Sequence, residues 1–332
     1  MAEQDDIGSA AAATASANAG DAQQRLVYQI RHQTSYQYSL PVRLSHQMLH
    51  LTPRELPWQR CLSHTVTVLP APQLVRSYED NFGNVIKAFS LDTDHTSLEV
   101  HADSWVELTP RGLPQAGMSW EEAVSLMSYR GGQPMAPGML DASNFLFESS
   151  HVRIKREFIR YAAECFRPGL PVVEGMRALM LRIHEEFAFD PAATTVSTPV
   201  TEVFANRRGV CQDFAHLMLS CLRSIGLAAR YISGYLLTEP PPGQPRLIGA
   251  DASHAWVSVY CPGDDGTMGT WIDADPTNGV FADTSHITLG WGRDFLDVSP
   301  LRGVLIGGGQ QSMQVAVTVM PGEEAQGLQL SI

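Results

Sequence analysis

The spacing of apolar residues changes partway along this chain, and that change limits the possible folds more than any other feature. From Leu26 the spacing is two: Leu26, Tyr28 and Ile30 alternate with polar neighbours, as do Tyr36, Tyr38 and Leu40. Successive side chains on a strand point to opposite faces, so this alternation reads as half-buried strand. Leu62–Leu69, Val85–Leu91 and Leu98–Leu108 are further strand-like runs, and Asp80-Asn81-Phe82-Gly83-Asn84 between two of them suits a hairpin turn. From Val173 the spacing becomes three or four. Val173, Met176, Met180, Ile183 and Phe187 form one stripe. After a Thr/Pro-rich loop, Thr194–Pro199, the residues Phe214, Leu217, Met218, Cys221, Leu222 and Ile225 form a second stripe, ended by Gly226. Strand-like runs then return at 228–237, 255–260 and 270–274, with a tail strand at 314–319.

The fold expected is therefore α+β. An N-terminal antiparallel β-sandwich over residues 25–108 precedes a core of helices packed on an antiparallel sheet over 141–332. Between them, 109–140 carries Pro110, Pro114, Gly131-Gly132, Pro134 and Pro137-Gly138, a linker with one short helix around Trp120–Tyr129. Residues 1–24 carry only Met1 and Ile7 as large apolar side chains and are expected to be a disordered tail, because they cannot bury enough surface to offset their ordering entropy.

Composition narrows the partners. A formal net charge of -12 does not suit phosphate neutralisation or an anionic membrane surface, so neither nucleic acid nor membrane is expected. Five scattered cysteines with no CxxC pair suggest free thiols in a reducing compartment. The acidic start and the lack of a long apolar run point the same way, to a cytoplasmic protein.

Cys211 opens the second helical stripe, directly after Gly209-Val210. Unpaired N–H groups and the positive end of the helix dipole stabilise an anion there, the condition under which a cysteine becomes a nucleophile. Arg207 and Arg208 act in the same sense. A thiol nucleophile needs a base, and the base needs an orienting group. His254 precedes the strand Ala255–Tyr260, and Asp275 ends the strand Thr270–Ala274 before the turn Pro276-Thr277-Asn278-Gly279. Pairing of those strands would set Asp275 beside His254. The resulting assignment is Cys211 as nucleophile, His254 as base and Asp275 as orienter, with the Cys211 N–H as an oxyanion donor.

Other residues are read more plainly. Cys221 lies on the buried helix face and is inert, Asp213 serves the first turn of the helix, and His216 is surface or packing. Asp273 is placed on the opposite face of its strand as the weaker acidic candidate. Trp256 and Tyr235 either line an acyl-binding groove or pack the core.

Three segments carry a family resemblance: Arg208-Gly209-Val210-Cys211-Gln212-Asp213-Phe214-Ala215-His216, Asp251-Ala252-Ser253-His254-Ala255-Trp256-Val257 and Asp273-Ala274-Asp275-Pro276-Thr277-Asn278-Gly279. They closely resemble the core of the bacterial transglutaminase-like superfamily. Residues from about Val27 to Leu108 are similar to the β-rich domain that precedes this core in one branch. Thr195-Val196-Ser197-Thr198-Pro199 and Arg302-Gly303-Val304 through Gly307-Gly308-Gly309 also fit that branch. The resemblance implies a papain-like core, a Cys211–His254–Asp275 triad and chemistry at an amide or ester carbonyl, with many members described as cysteine proteases. It implies no calcium requirement, and no cofactor or metal is expected.

Competing motifs fail. His184-Glu185-Glu186 lacks the second histidine of a zinc hydrolase, and Gly307-Gly308-Gly309 lacks the Lys-Ser/Thr of a phosphate loop. Three readings remain open: hydrolysis of a peptide or protein amide, transfer of the acyl group to an amine, and a peptide-binding module in which the triad is idle. Oligomeric state is not readable.

Overall fold

The computed structural model describes residues 25–112, 117–128, 135, 137–238, 253–263 and 269–329. The expected tail at 1–24, Tyr129 and the Asp251-Ala252 pair lie outside the described residues.

The N-terminal unit is one sheet built on a single long strand. The two alternating runs foreseen at Leu26 and Tyr36 belong to the same strand, β1 (Leu26–Leu49), followed by β2 (Gln59–Leu69), β3 (Val75–Glu79), β4 (Val85–Leu91) and β5 (His95–Leu108). Sheet order is β2-β5-β1-β4-β3. β1 pairs with β5 over its first half and with β4 over its second, and the β5 register shifts between Gln37 and Val42. Pro41 falls in that gap. It has no N–H to give a ladder, in keeping with the break in pairing to β5 there. The two halves face one core that includes Ile30, Val42, Phe89, Leu98 and Val106.

The second unit supplies the helices. These are α1 (Trp120–Met127), α2 (Pro137–Ser143), α3 (Arg156–Ala163), α4 (Val172–Glu186), α5 (Val200–Asn206) and α6 (Cys211–Ser224). Short β6 (Ala188–Phe189) and β7 (Arg208–Gly209) pair in parallel just before α6. Then come β8 (Ala229–Leu236), β9 (Ser253–Cys261), β10 (Thr270–Asp275), β11 (Val280–Phe281) and β12 (His286–Gly292), in the order β11-β10-β9-β8-β12. The stripe read from the sequence is the buried face of α6: Phe214, Leu217, Met218, Cys221 and Leu222 join Val257, Val259 and Ala229 of the sheet in one core.

The chain end departs from expectation. β13 (Leu301–Gly307) and β14 (Gln311–Pro321) do not extend the core sheet. They pair with the free edge of β1, β13 from Val42 to Leu49 and β14 from Tyr28 to Tyr38, and α7 (Gly322–Gln329) follows. The assignment of everything beyond 141 to the core therefore stops near residue 300. The physical reason is that β1 needs a neighbour on its second edge, and β14 brings Val317 and Val319 into the N-terminal core. Gly307, Gly308 and Gly309 form the connection with φ of 99°, 87° and 63°, a left-handed run that only glycine adopts without strain.

Two side-chain amides dock the units. Gln59 donates to the Thr288 carbonyl and accepts its N–H, both at 2.7 Å. Asn84 does the same at Trp291, at 2.8 and 3.0 Å. Each amide mimics a strand neighbour for β12, so β12 is held from both units. Arg54 stacks 3.5 Å over Trp291 at the same contact.

Candidate active site

The nucleophile's position begins with a helix cap. Val210 cannot cap through its own side chain, and the first turn of α6 supplies the acceptor instead. Asp213 Oδ2 accepts the Val210 N–H at 2.9 Å and the Thr194 hydroxyl at 2.6 Å. Asp213 is thus tied both to the helix start and to the Thr194–Pro199 loop, and burial raises its pKa despite these two donors. Gly209 makes room for it: a Cβ there would lie 2.6 Å from Asp213 Oδ2. Gly209→Ala is accordingly expected to push Asp213 off the Val210 N–H and cost about 1–2 kcal/mol, read as a lower urea midpoint, together with slower alkylation of Cys211. Unchanged values of both would show that the cap does not position the thiol.

His254 stands at the start of β9, opposite Gly234 of β8. Its Nε2 lies 2.7 Å from Asp275 Oδ2, and the Cys211 side chain is close enough to act on its charge. With Nε2 taken by the carboxylate, Nδ1 is the nitrogen left for the thiol. The three residues named from the sequence are therefore brought together, with the imidazole in the middle.

Asp275 has no exposed side-chain surface. The turn after β10 wraps it: Oδ1 accepts the N–H groups of Thr277 and Asn278 at 2.9 and 3.2 Å, and Oδ2 accepts the Asn278 amide at 2.7 Å. Burial alone would raise its pKa, but hydrogen bonds from His254 and His286, reinforced by their charges, hold it far below the usual carboxylate range. Burial likewise pulls His254 down. Hydrogen bonds and charge from Asp275 and Cys211 outweigh it, and the imidazole is raised to about 10. The imidazolium is therefore the stable form through neutral pH and is lost only as pH rises through about 10.

His286 was not foreseen. It opens β12, and its Nε2 sits 3.1 Å from Asp275 Oδ2 while Ser285 Oγ lies 2.9 Å from its Nδ1. Neither the strand it opens nor that strand's place on the far side of β8 from β9 was among the readings of the sequence.

Two substrate-groove candidates are corrected. Trp256 is 0% exposed, edge-on to His286 at 5.1 Å and stacked against His254 at 6.1 Å. It backs the imidazole and meets no solvent. Tyr235 is 1% exposed, and its hydroxyl bonds His32 Nδ1 at 2.9 Å inside the N-terminal core. It is an interdomain anchor. Asp273 is corrected as well: two residues from Asp275, it shares that residue's face of the strand. Arg111, 2.7 Å away, engages it instead of His254. His216 is a packing residue, buried and stacked on His151 at 4.9 Å, with burial holding its pKa well down. Cys221 is buried, which pushes its thiol strongly up.

A cysteine at a helix start, facing a histidine and an aspartate on adjacent strands of an antiparallel sheet, defines a papain-like α+β protein. Residues 28–107 match the family model for the bacterial transglutaminase-like N-terminal region, and residues 159–276 match that for the transglutaminase-like superfamily. The chain belongs to the transglutaminase-like superfamily, in the branch that carries this N-terminal region. A protein of Mycobacterium tuberculosis is 41% identical over 298 residues, which is 89% of this chain and 93% of that one. A protein-glutamine gamma-glutamyltransferase of Pseudomonas aeruginosa is 32% identical over 109 residues, only 16% of its length. Among solved structures, a candidate cysteine protease from Cytophaga hutchinsonii aligns with a TM-score of 0.69 at 19% identity, covering 90% of this chain and 91% of that one. That likeness is one of fold. Family and fold together support thiol-dependent acyl transfer in general.

Proposed function

We propose that this chain is a cysteine amidase or peptidase in which Cys211 attacks, His254 moves the proton and Asp275 orients the histidine. The observation that carries this reading is the grouping of the three residues, with the His254 imidazole hydrogen-bonded to Asp275 at 2.7 Å and its charge coupled to Cys211 at the start of α6. Cys211 Sγ adds to the amide carbon, and the resulting oxyanion is met by the Cys211 N–H, which at the first helical position has no intrahelical acceptor. The His254 imidazolium gives its proton to the leaving amine as the C–N bond breaks, leaving a thioester. Neutral His254 then takes a proton from water, hydroxide adds to the thioester, and the acid departs as the thiolate–imidazolium pair re-forms.

The test is iodoacetamide labelling against pH, located by mass spectrometry. Because the imidazolium persists to about pH 10, Cys211 is expected to label rapidly at pH 6. In His254→Ala the imidazolium that stabilises the thiolate is gone, and labelling is expected to slow roughly 100-fold. Equal rates in the two proteins would remove the pair and leave a peptide-binding module as the better reading.

Transfer to an amine is the second reading, favoured by the local similarity to the gamma-glutamyltransferase. It differs only in what resolves the thioester, so an added primary amine captured in the product would select it. We further infer a reducing, cytoplasmic setting from the five free cysteines. The described residues contain no helix long and apolar enough to cross a membrane.

A further inference from the structure

Beside the thiol, His254 Nε2, Asp275 Oδ2 and His286 Nε2 all lie within 4.8 Å of one another, and all three residues are buried. The hydrogen-bonding role of Asp275 accounts for its contact with His254. It does not account for a second imidazole on the same oxygen. We propose that these three groups, completed by the side-chain oxygen of Asn278, form a regulatory site for a divalent ion of the zinc class, and that the ion silences Cys211 by taking its base.

The donor set is the first support. Two imidazoles and a carboxylate are the ligands zinc and cobalt(II) favour in four-coordinate sites. The outer contacts are the second. A metal-bound imidazole holds its other N–H against an acceptor, and both have one: Ser285 Oγ stands 2.9 Å from His286 Nδ1, and Cys211 is on the remaining side of His254. Asp275 Oδ1 is already fixed by the Thr277 and Asn278 N–H groups, leaving Oδ2 for the ion. Asn278 is the third. Its amide nitrogen sits 2.7 Å from Asp275 Oδ2 and 3.4 Å from His254 Nε2, so turning the amide over presents its oxygen to the same point. Asn278 is exposed, which gives the ion a way in from solvent.

Protons balance in the exchange. The ion replaces the proton on His254 Nε2, which leaves to solvent. The proton on His286 Nε2 is replaced by one on Nδ1, where Ser285 accepts it, so one proton is released for each ion bound. His254 then keeps a proton only on Nδ1, donated to the Cys211 thiolate, and has no free nitrogen to take a proton from the water that resolves the thioester. Binding of the ion does not depend on the acyl-transfer reading; the silencing of Cys211 rests on it.

Cobalt(II) is the probe, added to the full chain of the wild type and of Cys211→Ser, His286→Gln and Asn278→Ala. Visible d–d absorption of four-coordinate strength is expected in the wild type and in Cys211→Ser, without a thiolate charge-transfer band. Cobalt affinity should fall about tenfold or more in His286→Gln and several-fold in Asn278→Ala, an exposed position outside the packed core. Zinc should displace the cobalt and slow hydrolysis of an activated acyl ester by the wild type about tenfold, and the zinc needed should rise about tenfold in His286→Gln. No cobalt spectrum in the wild type would overturn the site. So would a thiolate band that vanishes in Cys211→Ser and ignores His286, since the metal then sits on sulfur. Cobalt bound as expected to a protein whose Cys211 labels slowly at pH 6 without metal would instead remove the acyl-transfer reading and leave the site standing.

Discussion

Asp275→Asn is expected to slow alkylation of Cys211 at pH 6 severely, and to slow turnover roughly 10³–10⁴-fold, the scale seen when a triad carboxylate becomes an amide. Five donors converge on this carboxylate: two imidazoles, the Asn278 amide and the two N–H groups of the turn. An amide can accept at only one end. If its oxygen keeps the Thr277 and Asn278 N–H groups, its NH₂ faces both histidines, and His254 must accept on Nε2. The imidazole proton then sits on Nδ1, aimed at the thiol, and His254 can no longer take a proton from Cys211. Asp273→Asn on the same strand is the control, because Asp273 binds Arg111 and should leave the alkylation rate within a few-fold. Alkylation of Asp275→Asn at the wild-type rate would mean that His254 works without the carboxylate.

Arg223→Met is expected to destabilise the protein by about 3–5 kcal/mol, measured as a fall in the urea midpoint at unchanged slope. Arg223, in the last turn of α6, is almost wholly buried, at 2% exposure. Its guanidinium donates twice to the Ala229 carbonyl at 2.8 and 3.0 Å, once to Phe147 at 2.9 Å and once to Arg293 at 2.6 Å. Burial lowers its pKa to about 10, which still leaves it charged at neutral pH. Methionine fills similar volume but strands three carbonyls, each costing about 1–3 kcal/mol unpaired. Because a native domain is stable by only about 5–15 kcal/mol, this is a large share. Arg223→Lys should recover little, since one ammonium lacks the planar fork that reaches three carbonyls. A loss below about 1 kcal/mol would show that water replaces those bonds.

Much of this was legible because periodicity reports which face of an element is buried. The stripe from Phe214 to Ile225 placed α6 correctly, and with it Cys211 at the helix start. Periodicity does not report partners. The alternation at Gln314–Val319 marked a strand, but nothing local to those residues distinguishes the edge of β1 from the edge of the core sheet. His286 escaped for the same reason: its contact with Asp275 arises because β12 pairs with β8, a register no segment encodes alone. Trp256 and Tyr235 were misplaced because an aromatic side chain on a strand fits a groove and a core equally well. What decides is the layer above it, the imidazoles at Trp256 and the N-terminal core at Tyr235.

The pairing of β14 with β1 makes the transglutaminase-like core an insert within the β unit rather than its sequel. The ribosome therefore delivers the core before the sheet can close: β1 waits with a bare edge until residue 321 has emerged, while the helices and β8–β12 have their partners at hand. A fragment cut after Leu108 leaves that edge unpaired and should self-associate, whereas the same fragment supplied with the β13–β14 hairpin in trans has what it needs to close.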